Sequence, residues 1–384
     1  MTEKLFYADA HMRKFTARVL TCEERGGRFA VTLDRTVFFP EGGGQSGDTG
    51  ALGGVRVTDT REEKGEIVHF CDAPLVPGAE VTGELDGETR FARMQIHSAE
   101  HLVSGHAHAL WGCENIGFHM DEHGATIDFD REIDAEQLLR LERLANEDVW
   151  KNLPINILWP TEEELAAMPF RQKKALAMPV RIVEVPGVDL CACCAPHVSF
   201  TGEIGLIRLK DRMRHRGGVR FTMLAGRAAY EDAALCAAET EALSRLFSAP
   251  QNALCAAAER VLGELEAEKY ARAAAERRYV EARLAAMEPC EGNLLFFEES
   301  LSPAALRALA EGGKTRCTGV CAAFCAEDGG YRYVMASETV DLRAAARSIN
   351  AALSGRGGGA SGMIQGSLLA SREQIEEYFH GKIG

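Results

Sequence analysis

Two short stretches of this 384-residue chain each carry a pair of metal-binding side chains four residues apart. His97 and His101 lie within Gln95–His108, and Cys193 and His197 lie within Asp189–His197. On a helix, residues four apart share one face, one turn from each other. Two imidazoles, a thiolate and a third imidazole make a complete tetrahedral zinc shell of nitrogen and sulfur. Each half also has a plainer reading. The histidines alone are satisfied or surface imidazoles, and the cysteines alone are buried thiols acting as small hydrophobes. Together each half supplies what the other lacks, so the fold has to close a long loop and bring both to one place. Cys191 and Cys194 flank Cys193 and stand as alternative donors.

A chain of this length divides into two or three domains. Its 46% apolar and 26% charged residues are those of a globular protein. No apolar run is long enough to span a bilayer. Met1–Phe15 has early charges and no apolar centre, so it does not read as a secretory signal. Twelve cysteines without such a signal point to free thiols in a reducing compartment, with the cytoplasm expected. The net charge of −14 counts against indiscriminate nucleic-acid binding. Lys210–Arg216, with Arg220 and Arg227, is the densest basic run. It is either a local basic surface or the solvated flank of a strand-loop-strand.

The periodicities predict an α+β protein. Residues 1–88 alternate apolar and polar side chains in short strands, as in Phe15–Leu20, Arg28–Leu33, Val55–Thr60 and Glu66–Phe70. They read as a small antiparallel barrel or sandwich. Within it, Gly42-Gly43-Gly44 either lets the backbone approach a ligand or makes a tight loop between strands. No Lys-Ser or Lys-Thr pair follows, so it is not a Walker-type phosphate loop. Residues 89–227 form a second domain. It has a helix over Thr89–Trp111 and strands at Gly117–His119 and Ala125–Asp130. A helix over Ala135–Lys151 presents Leu138, Leu141, Ala145 and Val149 on one face. Thr161 opens a capping box for a helix to about Ala167. Strands at Val180–Val185, Gly205–Lys210 and Val219–Leu224 follow. Residues 228–288 are an Ala-, Glu- and Arg-rich helical spacer broken at Ser248-Ala249-Pro250. Residues 289–384 are a C-terminal α/β domain. Cys317, Cys321 and Cys325 read there as a buried thiol row, and Gly355–Ser367 as a glycine-rich loop before a helix over Ser371–Phe379.

Taken in order, several motifs resemble one family. They are Asp34-Arg35-Thr36 through Gly42-Gly43-Gly44-Gln45, then His97-x-x-x-His101, then Cys193-x-x-x-His197 followed by Thr201-Gly202-Glu203-Ile204-Gly205. They look like the editing domain of alanyl-tRNA synthetase and its free-standing relatives, the AlaX editing proteins. Gly117–Phe129 fits the same pattern, and Arg356–Gly366 is similar to the DHH-associated domain of the long forms. The resemblance implies a second domain of the threonyl/alanyl-tRNA synthetase second-additional-domain type. It also implies a zinc-dependent trans-editing hydrolase that cleaves the ester of Ser-tRNA(Ala) or Gly-tRNA(Ala). It places Thr36 and Gln45 near the substrate amino acid. Glu100, beside His101, is either a base at the metal or a solvated helix carboxylate. The family's Cys-Gly-Gly-Thr-His reads Cys193-Cys194-Ala195-Pro196-His197 here, which keeps the ligand spacing and changes the local backbone. The C-terminal half is expected to hold tRNA(Ala) at a second site or to form a homodimer. The competing expectation is a zinc-stabilised RNA-binding module without hydrolysis.

Overall fold

The computed structural model describes residues 2–121, 124–172 and 178–381. The chain divides into two compact units, Met1–Glu241 and Ala242–Gly384. Among the described residues no helix is long and apolar enough to cross a membrane.

The first unit opens with strands Lys14–Arg25, Arg28–Leu33, Gly50–Leu52, Val55–Glu63, Glu66–Cys71 and Glu80–Leu85, which pair into a closed ring. Alternation decides which face turns inward. Phe15, Ala17 and Val19 are buried while Lys14, Thr16 and Arg18 face water. Val31, Leu33, Phe38, Leu52 and Val57 complete the filling at 0% exposure.

Helix α1, Gly87–Trp111, follows directly. The Asp86 side chain accepts from the Thr89 N–H to cap it, and Gly112 ends it at φ +63°. Every position from Ile96 to Gly105 is buried, so this stretch lies in the core rather than on its rim. A four-stranded sheet flanks it, in the order Ile207–His215, Gly218–Ala225, Gly124–Phe129, Asn115–Asp121. Helix α2, Ala135–Lys151, turns Leu138, Leu141, Ala145 and Val149 into the same core. A three-stranded sheet, Asn156–Leu158, Ile182–Val185 and Asp189–Ala192, leads into the loop bearing Cys193 and His197. The basic run forms the Ile207–His215 strand and its turn, where Lys210 pairs with Asp232 at 2.7 Å and Arg214 with Glu132 at 2.7 Å.

Helix Arg227–Phe247 spans the division between the units, and helix Leu254–Ala285 belongs to the second. The latter buries Ala257 and Val280 and leaves Val261 and Leu265 exposed. The rest of that unit is a five-stranded sheet in the order Leu294–Glu298, Cys321–Glu327, Gly330–Ala336, Met363–Leu368, Gly355–Ala360. Its first pair is parallel and the others antiparallel. Two findings differ from the sequence reading. Cys321 and Cys325 point inward from their strand, but Cys317 precedes it and is half-buried. Gly355–Leu368 is a β-hairpin at the sheet edge, not a loop. Glycine is disfavoured in strands, which hides such a strand from sequence. At Gly357 it is required, because a Cβ would sit 2.4 Å from the backbone oxygen of Gln365 on the neighbouring strand.

Candidate metal centre

α1 carries His97 and His101 with ring centroids 6.0 Å apart. The loop after Ala192 brings the His197 ring to 5.1 Å from His97 and 4.7 Å from His101. The Cys193 sulfur lies 3.4 Å from His97 Nε2 and 3.4 Å from His197 Nε2. One ligand atom from each of the four residues falls within 4.8 Å of the others. Zinc bonds of roughly 2.05 Å to nitrogen and 2.3 Å to sulfur imply an N···S edge of about 3.6 Å in a tetrahedron. The donor set and its spacing therefore fit a metal ion.

The outward nitrogens fit as well. His97 Nδ1 lies 3.3 Å from Gln45 Oε1, His101 Nδ1 2.8 Å from Asp189 Oδ2, and His197 Nδ1 3.0 Å from Ser98 Oγ. Amide and carboxylate oxygens only accept, so the Nδ1 protons of His97 and His101 are held outward and both Nε2 lone pairs face the centre. Asp189 is itself gripped by Arg171, whose Nε donates to Oδ1 at 2.7 Å and Nη2 to Oδ2 at 2.9 Å. Arg181 Nη1 donates to Cys193 O at 2.7 Å and Ala195 O at 2.9 Å, bracing the loop from behind. Sequence reasoning missed Asp189, Arg171, Ser98 and Arg181. No spacing marks them, although Asp189 opens the cysteine-rich stretch.

Charge follows this arrangement. Burial alone would raise the Cys193 thiol, but the imidazoles of His97 and His197 and the hydrogen bonds of His101 and His197 hold it well below its ordinary value. Burial disfavours a charged His101, yet the hydrogen bonds to Asp189 and Cys193 hold its pKa up. Burial pushes His197 down. The site is built for a thiolate beside imidazoles.

The glycine loop forms one wall. Gly42 and Gln45 exchange backbone hydrogen bonds of 3.0 Å in both directions, and Gly43 and Gly44 take φ of +63° and +85°. A Cβ on Gly44 would lie 2.4 Å from Phe118 O, so only glycine lets the loop lie against that strand. The turn delivers Gln45 at 1% exposure to His97. Its Nε2 has no hydrogen-bond partner among the described residues.

Thr36 lies at 0% exposure in the short strand Arg35–Thr36, which pairs with Glu3–Lys4 outside the six-stranded ring. Its hydroxyl oxygen is 2.8 Å from His69 Nε2 and accepts from the Phe38 N–H at 3.1 Å. His69 Nδ1 is 3.1 Å from the Val31 carbonyl, which requires the proton on Nδ1. The Thr36 O–H therefore donates to His69, and one lone pair remains on its oxygen. Glu100 is not the solvated carboxylate the sequence allowed. It is 3% exposed, accepts from Ser104 Oγ at 2.7 Å and from Asn115 Nδ2, and has Oε2 4.0 Å from His101 Nε2. α1 is buried all round here, which helical periodicity around one charged residue does not reveal. Of the cysteines, Cys193 shares the four-residue cluster. Cys191 is buried beside His101 and Asp189, and Cys194 is exposed against Gly42 and Gly43.

Two protein families match parts of the first unit. Residues 2–89 match the class II (A) tRNA synthetases, and residues 180–221 the second additional domain of threonyl- and alanyl-tRNA synthetases. The chain is 36% identical over 310 residues to an alanine–tRNA ligase of Methanopyrus kandleri, covering 76% of this chain and 33% of that one. It is 32% identical to the alanyl-tRNA editing protein AlaX-L of Pyrococcus horikoshii, covering 54% of each. It is 34% identical over 239 residues to AlaX-M of Saccharolobus solfataricus, covering 58% of this chain and 99% of that protein. The chain spans about a third or less of the alanine–tRNA ligases it matches, at 33%, 27% and 26% of their lengths. The ligases share a segment with it, whereas AlaX-M aligns over almost its whole length, and on that ground this chain belongs to the AlaX-type alanyl-tRNA editing proteins.

Proposed function

We propose that the chain is a trans-editing hydrolase that cleaves the aminoacyl ester of Ser-tRNA(Ala) and Gly-tRNA(Ala). The observation that carries this reading is the buried, unpartnered amide donor of Gln45 beside the four-donor cluster. A buried donor without an acceptor costs free energy until a ligand supplies one. An ester carbonyl is an acceptor whose negative charge grows as water attacks, so the contact strengthens in the transition state. His97, His101, Cys193 and His197 would hold a zinc ion, which supplies Lewis acidity and a water of lowered pKa when bound. Asp189 and Arg171 keep the His101 proton outward, and Ser98 orients His197. Thr36 would accept the hydroxyl of a seryl substrate on its remaining lone pair, a bond that an alanyl methyl cannot make. Glu100 would act through its neighbour His101 as a positioning group.

The four-part division at residues 88, 227 and 288, tethering of tRNA(Ala) or homodimer formation by the C-terminal half, and a reducing cytoplasmic setting belong to the same reading. One observation favours a second reading, a zinc-stabilised RNA-binding module. Four protein donors fill a tetrahedral shell and leave no open position. Deacylation of Ser-, Gly- and Ala-tRNA with and without a chelator separates the two. The hydrolase reading requires Ser- or Gly-tRNA to be cleaved faster than Ala-tRNA, with the rate lost on chelation. No hydrolysis of any of the three leaves the binding module.

A further inference from the structure

Arg181 is 7% exposed, and its guanidinium has no carboxylate partner among the described residues. Nη1 serves the carbonyls of Cys193 and Ala195, Nε has no partner, and the Cζ atom sits 5.3 Å from the Tyr7 ring centroid. A buried guanidinium whose Nε has no acceptor is costly even beside the Cys193 sulfur, and an incoming anion relieves it. Tyr7 in turn meets Trp159 edge-on at 5.4 Å between centroids, and Trp159 is 48% exposed. Tyr7 and Cys193 border the same small apolar cluster of Phe6, Phe39 and Ala195. An exposed indole, a tyrosine and a buried guanidinium with an unpartnered Nε therefore converge beside the loop that carries Cys193.

We propose that Tyr7, Trp159 and Arg181 form the seat of the terminal nucleoside of the acylated RNA. The base stacks on Trp159, and the 5′-phosphodiester is drawn to the Arg181 charge. The inference rests on the deacylase reading, because it follows from chemistry at the cluster. An ester carbonyl held at Gln45 is bonded to the terminal ribose, so the base and its phosphate lie one nucleotide's reach away. Arg181 holds the Cys193 loop and Tyr7 packs on the same cluster as Cys193, so this aromatic corner adjoins the four-donor site, and stacking on an aromatic ring is the sequence-tolerant contact an RNA end needs. Trp159 binds the end, Tyr7 sets the indole edge, and Arg181 supplies the charge while bracing the Cys193 loop.

The test uses the full chain and the exposed residue Trp159, whose change does not disturb the loop. In Trp159→Ala, KM for Ser-tRNA rises about tenfold while kcat stays within about twofold, and Trp159→Phe retains most of the affinity because a ring remains. Independently, adenosine 5′-monophosphate quenches the tryptophan emission of the wild-type protein, ribose 5-phosphate does not, and the quench disappears in Trp159→Phe. An unchanged KM in Trp159→Ala overturns the seat, as does a quench that persists in Trp159→Phe or is absent from the wild type. If the wild-type protein cleaves no aminoacyl-tRNA, the deacylase reading fails by itself, and the nucleotide titration still decides whether this corner binds the end of an RNA.

Discussion

Asp189→Asn separates the geometry of the metal centre from its charge. The Asp189 side chain is 2% exposed and makes three hydrogen bonds, one to His101 at 2.8 Å and two to Arg171 at 2.7 and 2.9 Å. Asparagine keeps the shape but has one accepting oxygen. If that oxygen stays with Arg171 Nε, the amide NH2 faces His101 Nδ1 and forces the imidazole proton onto Nε2, the atom aimed at the metal. Loss of such an outer partner weakens metal binding by about 10- to 100-fold, or about 1.4 to 2.7 kcal/mol. Arg171 also loses the partner of its buried charge, which costs about 3–5 kcal/mol out of a typical total of about 5–15. Chelator competition measures the first effect, and urea denaturation of the zinc-free protein the second. Asp189→Asn/Arg171→Met then removes both charges, recovering most of the stability while zinc affinity stays low. A zinc affinity in Asp189→Asn within about twofold of wild type would refute the reasoning, since Asp189 would then serve only the fold.

Gln45→Glu keeps an oxygen to accept from His97 Nδ1 but removes the unpartnered donor, and it lowers kcat for Ser-tRNA by about 100-fold while the zinc content of the purified protein stays unchanged. Thr36→Val leaves the buried His69 Nε2 and Phe38 N–H unpaired, so the urea midpoint drops by the equivalent of about 1–3 kcal/mol, and the ratio of Ser- to Ala-tRNA cleavage falls. Burial lowers the His69 pKa from 6.5 to about 4, so the unfolded chain takes up a proton that the folded one refuses. That stability is present above pH 6.5 and lost on the way down to about pH 4, by about 3 kcal/mol. The fall of unfolding free energy over this window, measured in wild type and His69→Gln, should be shallower in the variant. Changing His97 or Cys193 to Ala should lower bound zinc in elemental analysis, and undiminished zinc in both would remove them from the ligand set.

Local chemistry was legible in the chain wherever periodicity or capping expresses it. The i, i+4 spacing placed both imidazoles on one face of α1. Thr161 and Glu164 form the capping box their spacing foretold. Ala135–Lys151 buries the face its leucines mark. These features depend on residues within a turn or two of each other, so a linear text records them. The glycine-rich edge hairpin was not legible, because its strand character comes from a neighbour whose register only the folded sheet sets.

What the chain by itself determined about this protein is the candidate donors, their spacing and the need to close a long loop. Tertiary structure decided how those donors are held. His101 meets Asp189 across 88 residues, His197 meets Ser98 across 99, and His97 meets Gln45 across 52. It also decided that Glu100 is buried, that Cys193 rather than Cys191 or Cys194 joins the cluster, and that the Thr36 hydroxyl is already committed to His69. The reason is physical. A hydrogen bond depends on a few tenths of an ångström and on which ring nitrogen carries the proton, and both are set by packing between elements far apart in the chain.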